Sequence, residues 1–315
     1  MRCSARRSVS SSDDRLRDVR GRARAAFLGL AVGDALGATV EFMTPGEIRE
    51  AHGVHREIVG GGWLHLSPGH VTDDTEMSLC IARAIAAEGG WSRRAIADRF
   101  AEWLRGHPAD VGSTCRKGIR SYLLDGVLEV PPNAWDAGNG AAMRMAPVAL
   151  FTLADGALLA RCAVEQAHLT HHHPLSDAAC VLVGSLVHLG CLGLSRERML
   201  RKAAALVAAH PTFRYDPYHG LATGYVVDTL QTVLHHFFAT GSFEECLVAT
   251  VNQGGDADTT GAIAGMLAGA FYGLDALPAR WLKKLDPLLC AEIEGFADRL
   301  LLLSPLGQSF SDRSR

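Results

Sequence analysis

The chain has 315 residues, 48% of them hydrophobic and 21% charged, a composition that excludes global disorder. Its 31 lysines and arginines against 34 acids give a net charge of −3, so there is no basic footprint for nucleic acid. Aromatic residues make up 7% while glycine fills 33 positions, which predicts a core of closely approaching helices with small side chains.

Residues 1–20 interleave arginines (Arg2, Arg6, Arg7, Arg15, Arg17, Arg20) with serines and acids, and no apolar core follows. They read as a disordered extension rather than a secretory signal. No linker-like tract and no repeat interrupts residues 21–305, which are expected to form one domain, with 306–315 a flexible tail. Gly29-Leu30-Ala31-Val32-Gly33-Asp34-Ala35-Leu36-Gly37 has small residues at helical spacing, suited to a tight helix crossing. Apolar residues at intervals of three and four then predict helices over 75–88, 93–105, 156–168, 176–192, 198–210, 224–238 and 262–273. Thr72-Asp73-Asp74, Ser92 and Asp258-Thr259-Thr260 read as N-terminal caps, and a short helical run is expected at 141–145. Gly126, Gly190, Gly241 and Gly273 read as C-terminal punctuation. Strand alternation is nearly absent, so the fold class is all-α, in a single domain.

The apolar run 178–194 contains His188 and several glycines. At seventeen residues it is short for a membrane span and reads as a buried helix. Eight cysteines are scattered without a C-x-x-C pair, mostly in apolar runs, as expected of reduced thiols in a cytoplasmic protein.

Two segments carry paired carboxylates beside hydroxyls at a helix start: His70-Val71-Thr72-Asp73-Asp74-Thr75 and Gly254-Gly255-Asp256-Ala257-Asp258-Thr259-Thr260-Gly261. Capping accounts for one acid per helix, whereas a second mostly adds repulsion. An oxygen-only donor set of this kind suits Mg²⁺, Mn²⁺ or Ca²⁺ rather than zinc. Should the segments meet, four carboxylates converge and two metals become the natural count. Capping with solvated charge stays open as the alternative. Gly138-Asn139-Gly140 reads either as an ordinary turn or as a nest of N–H groups for a phosphate. Gly60-Gly61-Gly62-Trp63 lacks the ending of a P-loop, and Thr170-His171-His172-His173-Pro174 marks a helix junction.

Taken in order, these blocks resemble the ADP-ribosylglycohydrolase family from about residue 25 to 303. The blocks are Gly33-Asp34-Ala35-Leu36-Gly37 with Glu41, Thr72-Asp73-Asp74-Thr75, Gly138-Asn139-Gly140, Thr170-His171 with His173-Pro174, and Asn252-Gln253-Gly254-Gly255-Asp256-Ala257-Asp258-Thr259. The strings GLAVGDALGATVEFMT and VNQGGDADTTGAIAGMLAGA, with Asp110-Val111-Gly112-Ser113-Thr114-Cys115-Arg116, are most similar to the nitrogen-fixation branch of that family. Ser113 departs from that branch, where Asn is usual.

The resemblance implies an orthogonal helical bundle with a binuclear Mn²⁺ or Mg²⁺ cleft. It implies metal ligation by Thr72, Asp73, Asp74, Asp256, Asp258 and Thr259, and a Glu41 that holds or activates the hydrolytic water. Asp110 would act in the substrate cleft, Gly138, Asn139 and Gly140 would hold the diphosphate, and Tyr225 would line the adenosine side. His171 would anchor the substrate, with His173 supporting its loop.

The implied reaction is hydrolysis of the N-glycosidic bond between ADP-ribose and an arginine of the nitrogenase iron protein. A monomer is implied, with a PII signalling protein and an ammonium transporter as regulatory partners at the membrane. Cleavage of a serine or O-acyl linkage, or a non-catalytic binding role on the same fold, are the alternatives. Glu41, Asp73, Asp74, Asp110, Asp256 and Asp258 together carry more negative charge than two dications cancel, which favours a cationic arginine substrate.

Overall fold

A computed structural model of the chain describes residues 12–313. Among them are fifteen α-helices: α1 (Ser12–Gly37), α2 (Pro45–His52), α3 (Asp73–Glu88), α4 (Arg93–Arg105), α5 (Ser113–Asp125), α6 (Ala146–Phe151), α7 (Gly156–Ala167), α8 (Pro174–Cys191), α9 (Arg196–Ala209), α10 (Val226–Ala239), α11 (Phe243–Val251), α12 (Ala257–Tyr272), α13 (Ala279–Leu282), α14 (Pro287–Leu303) and α15 (Pro305–Arg313). Among the described residues the only β pairing is two isolated bridges, Gly61 with Leu66 and Gly138 with Tyr225. The all-α expectation holds.

The central pair is α1 against α12, the most extensive helix contact in the molecule. Glycines recur every fourth residue on both: Gly29, Gly33 and Gly37 on one, Gly261, Gly265 and Gly269 on the other. A Cβ placed on Gly33 would lie 1.9 Å from the Gly261 carbonyl oxygen, and one on Gly265 would lie 1.9 Å from that of Gly29. Neither distance is compatible with atoms in contact, so the two backbones touch only because side chains are missing. Around this pair pack α8, α11, α14 and α10, all facing α12 or α1 with buried aliphatic residues. Helix α8 is long and apolar enough to cross a membrane, but 61% of its apolar window is buried inside the protein, as a core helix requires.

Several expected boundaries shift. Helix α1 begins at Ser12, so residues 12–20 are helical rather than part of a disordered extension. Val19 is buried, and Arg20 and Arg24, one turn apart, share the carboxylate of Asp298 on α14. An arginine-rich stretch can thus be a helix whose charges are met from another element. Residues 1–11 of that expected extension lie outside the described residues. The expected tail at 306–315 is largely α15, turned back so that Leu306 N–H donates to Leu153 O at 3.2 Å; residues 314–315 are likewise outside the description. Residues 141–144 are turns, followed by α6 from Ala146, because Asn139 O accepts from both Ala142 and Met143 N–H. Gly126 and Gly273 do cap helices. Gly190 instead lies within α8, where it admits the Ala270 backbone, and Gly241 follows a helix that has already ended at Ala239.

Among the described residues the seven cysteines are free thiols, six of them buried. Burial pushes Cys80, Cys115, Cys162, Cys180, Cys191 and Cys246 up to about 12, so these thiols stay protonated and unreactive.

The α1–α12 contact generates a stability prediction. Gly33→Ala and Gly265→Ala should each force the helices apart at a cost of about 1–3 kcal/mol or more. Gly295→Ala on α14, where an added Cβ meets nothing within 4 Å, should be neutral or gain up to about 1 kcal/mol. Melting temperatures of the three variants check this. Equal melting of Gly33→Ala and wild type would show that the crossing is looser than the backbone distances require.

Candidate metal centre and substrate cleft

Three helix ends meet at one side of the bundle. Asp34, in the last turn of α1, is completely buried and reaches across to the start of α3. Its carboxylate accepts Thr72 N–H and Thr72 Oγ1–H at 3.0 Å, Thr75 N–H at 3.1 Å and Thr75 Oγ1–H at 2.5 Å. Thr72 is the N-cap of α3 but makes no capping bond with its own side chain. Asp34 therefore supplies the cap from nearly forty residues away, satisfying N–H groups that the helix itself leaves open. Burial raises its pKa to about 6, and the Thr75 and Thr72 hydrogen bonds keep it from rising further.

Helix α12 presents the opposite wall. Its N-cap is Asp256, so Asp258, Thr259 and Thr260 lie in the first turn rather than ahead of it. The preceding glycines, at φ 65° for Gly254 and 62° for Gly255, pass hard against Met43 O and Ala222 O. A side chain at either would meet those oxygens at 1.9 Å, in a backbone region that L-residues rarely adopt. Gly255 O accepts Phe42 N–H at 2.6 Å, which brings Glu41 beside the α12 terminus.

The expected metal ligands converge. Thr72 Oγ1 lies 3.2 Å from Asp74 Oδ2 and 3.4 Å from Asp258 Oδ2, and Thr259 Oγ1 lies 3.3 Å from Asp74 Oδ2. Asp74 Oδ1 is buried with no hydrogen-bond partner, an orphaned acceptor at the centre of the cluster. Asp73 accepts Gly112 N–H at 3.1 Å, and Asp256 accepts Asn139 Nδ2–H at 2.9 Å. One carboxylate oxygen from each of Glu41, Asp110 and Asp258 fits within 4.8 Å of the others, a spacing that could hold a cation. Asp110 is thus a cleft residue, half-buried, rather than a solvated loop acid.

Electrostatics follow from this crowding. Burial pushes Glu41 up to about 8 against a hydrogen bond from Trp63 Nε1–H, with Asp256, Asp110 and Asp73 adding to the rise. Asp73 is pushed up to about 8 by burial and by Asp110. Asp74 and Asp258 are raised well above the ordinary range by burial and by neighbouring acids, and Asp110 is raised by burial. Burying like charges together is costly unless a cation neutralises them. The donor set fits a hard dication: all oxygen, with an unpaired acceptor at its centre.

The cleft continues past Gly138, Asn139 and Gly140 to His171. The Asn139 backbone N–H is engaged by Gly224 O at 3.1 Å, and a Cβ on Gly138 or Gly140 would meet the His171 ring at 3.0 or 2.9 Å. Only glycine leaves the imidazole room. His171 is buried, and burial together with the nearby Arg144 cation lowers its pKa to about 3. His173 instead caps α8, accepting Leu175 N–H on Nδ1 at 3.1 Å. His172 turns away from the cleft to stack on His168. Tyr225, bridged to Gly138 and two-fifths exposed, is not among the residues that line the cleft, whereas Ser113 is.

Three features escape sequence reasoning. Asp34 is the carboxylate that holds α3; it stands in a glycine-spaced run and in the first family block, with no role attached to it. Phe42, at φ 63° and 64% exposed, lines the cleft next to Glu41, with its ring 5.4 Å from Trp63. Trp63 itself, in the glycine-rich loop, orients Glu41.

A family model described as ADP-ribosylglycohydrolase matches residues 15–309. The ADP-ribosyl-(dinitrogen reductase) glycohydrolase of Rhodospirillum rubrum is 54% identical over 288 residues, spanning 91% of this chain and 98% of that protein. An ADP-ribosylarginine hydrolase of Pseudomonas putida (strain GB-1) is 31% identical over 285 residues, covering 84% of this chain and 74% of its own length. A solved structure described as an ADP-ribosylglycohydrolase-related protein complex superposes with a TM-score of 0.80 at 34% identity, covering 91% of this chain and 99% of its own.

The raised carboxylates predict a pH dependence for metal-free protein. With folded values of about 8, Glu41 and Asp73 hold protons that the unfolded chain releases near its ordinary value of ~4. Their contribution is complete below that unfolded value and is lost as pH rises through the folded one. His171 at about 3, and His188 and His236 at about 4, act in the opposite sense, but only below ~6.5. The window from ~6.5 to 8 therefore belongs to the acids. Chelated protein should melt progressively lower across it, and saturating Mn²⁺ should flatten the slope. A flat profile without metal would mean that the acids are not crowded as described.

Proposed function

The chain belongs to the ADP-ribosylglycohydrolase family, and we propose that it removes ADP-ribose from a modified arginine of dinitrogenase reductase, the nitrogenase iron protein. The observation that carries this reading is the convergence of Asp73, Asp74, Asp256 and Asp258 from two distant helix starts around the orphaned Asp74 oxygen. It occurs in a chain 54% identical, over nearly its whole length, to a relative named for that substrate.

Two divalent cations, Mn²⁺ or Mg²⁺, would be held by Thr72, Asp73, Asp74, Asp256, Asp258 and Thr259. When bound, such ions supply charge neutralisation, anchorage for ribose hydroxyls and acidification of water. The protein's own groups do the rest. Asp110 stands at the cleft mouth, a half-buried carboxylate positioned to take a proton from the attacking water. Glu41, held by Trp63 and with a carboxylate oxygen within 4.8 Å of one of Asp110, would help orient that water.

Gly138 and Gly140, whose N–H groups have no backbone partner among the described residues, would receive diphosphate oxygens. Thr170 Oγ1 accepts from Arg144 and lies 2.8 Å from His171 Nδ1, so its proton is free to go to that nitrogen. The ring then keeps its N–H on Nε2, the atom facing the Gly138–Gly140 loop, as a neutral donor to the substrate. Tyr225, exposed and bridged to Gly138, would flank the adenosine. The oxocarbenium character that develops on the ribose is stabilised by the surrounding carboxylates, and a cationic guanidine leaving group suits the same field.

The test is release of ADP-ribose by purified protein from ADP-ribosylated dinitrogenase reductase, in parallel with serine-linked and O-acyl ADP-ribose, each with Mn²⁺ and with chelator. Metal-dependent turnover of the arginine linkage is expected, and preference for another linkage would reassign the substrate. In the same assay Asp110→Asn should slow turnover by at least ~10²-fold, about 2.7 kcal/mol, with melting unchanged within about 1 kcal/mol. Near-wild-type turnover from folded, metal-loaded Asp110→Asn would remove Asp110 from the reacting machinery.

A further inference from the structure

We propose a second metal site, apart from the acidic cleft, in which Glu129, His168 and His172 bind one borderline transition dication of the Zn²⁺ or Cu²⁺ class. One ligand atom from each residue lies within 4.8 Å of the other two. Glu129 follows α5, His168 caps the C-terminus of α7, and His172 sits in the loop before α8. The backbone brings the segments together: Val130 N–H donates to His168 O at 2.9 Å, and Asn133 N–H donates to His172 O at 3.2 Å.

What distinguishes this cluster is how each ring is held. His168 Nε2 lies 3.1 Å from both oxygens of Asp177, leaving Nδ1 turned to Glu129 Oε1 at 3.5 Å. His172 Nδ1 is engaged by the Val130 carbonyl at 2.5 Å. In both rings one nitrogen donates to an oxygen acceptor, which fixes the tautomer and leaves the other nitrogen with its lone pair. That is the outer-shell arrangement metal-binding histidines use. Arg93 lies 3.4 Å from Glu129 Oε2, orienting the carboxylate with Oε1 towards His168. Glu129 as ligand and Asp177 behind His168 together offset the charge of a dication. Two imidazoles and one carboxylate select zinc, copper or nickel over magnesium or calcium, the opposite preference from the all-oxygen cleft.

The rival account is a protonated His168 paired with Asp177 and Glu129. It explains one ring. It does not explain why His172 also brings a nitrogen to the same carboxylate; the two rings, stacked at 3.6 Å between centroids, would swing apart to share one ion. A cation there would pin the loop that carries His171 into the cleft, one residue from a ligand.

The difference in donor type gives a direct readout. Tag-free, full-length, Mg²⁺-loaded protein is titrated with Cu²⁺ and followed by electron paramagnetic resonance. The acidic cluster offers only oxygen, and the one cleft imidazole, His171, has its Nδ1 engaged by Thr170, so superhyperfine coupling to two nitrogens reports the new site. One equivalent of Cu²⁺ should show coupling to two nitrogens and be displaced by Zn²⁺. His172→Ala should reduce the coupling to one nitrogen and weaken binding at least ~10-fold. Glu129→Gln, at an exposed position, should weaken binding but keep both nitrogens. Melting curves of both variants without transition metal should show cooperative unfolding of a folded protein. An oxygen-only spectrum in wild type, or a two-nitrogen spectrum unchanged in His172→Ala, would overturn the site.

Discussion

The cleft depends on how closely α1 and α12 approach. With glycine facing glycine, the backbones meet at a separation that no side chain permits, and Asp34 at the end of α1 comes level with the first turn of α12. Asp34 then draws in the start of α3 by accepting from two threonines through both backbone and hydroxyl. Close packing thus turns into chemistry in two steps. The missing Cβ atoms set the distance between helices, and one buried carboxylate sets the position of the third.

The acids assembled this way oppose one another. Their hydrogen bonds come from neutral donors: the Gly112 N–H, the Asn139 amide and the Trp63 indole. The groups that act on them most are burial and other carboxylates. Such a cluster stores unfavourable energy in a fold that a large apolar core must hold together. The helix starts of α3 and α12 offset part of it, since both present the positive end of their dipoles to the acids. A hard dication would offset the rest, and the geometry that makes the apo cluster costly is what would make its binding favourable.

Much of this could be read from sequence because it is local. Paired acids beside hydroxyls at the start of an apolar helix are recognisable within eight residues, and so is a glycine every fourth position in α1. The unreadable parts depend on distant segments. Thr72 looks like a self-sufficient cap, yet its bond partner lies in α1. Arg20 reads as the end of a disordered extension, yet it shares Asp298 on α14 with Arg24. Phe42 carries no pattern that marks it for the cleft, since its position follows from a hydrogen bond to Gly255 in another loop. Gly190 resembles a terminator but serves as a contact surface for Ala270.

Arg144 has a consequence for ligand binding. Its guanidinium is completely buried and bonded to Gln166 Oε1 at 2.7 Å, Gln166 O at 2.9 Å and Thr170 Oγ1 at 2.8 Å, with the Phe100 ring 4.7 Å away. None of those partners is an acid, so no carboxylate in contact with the cation cancels its repulsion for a second positive charge nearby. Burial first, and then this cation, lower the His171 pKa to about 3, so the imidazole is neutral near neutral pH. An anion docked against that ring neither takes up nor releases a proton there. Any anion held at this end of the cleft would therefore bind without proton exchange at His171, whereas the carboxylates at the other end, raised by burial, can respond to acidity.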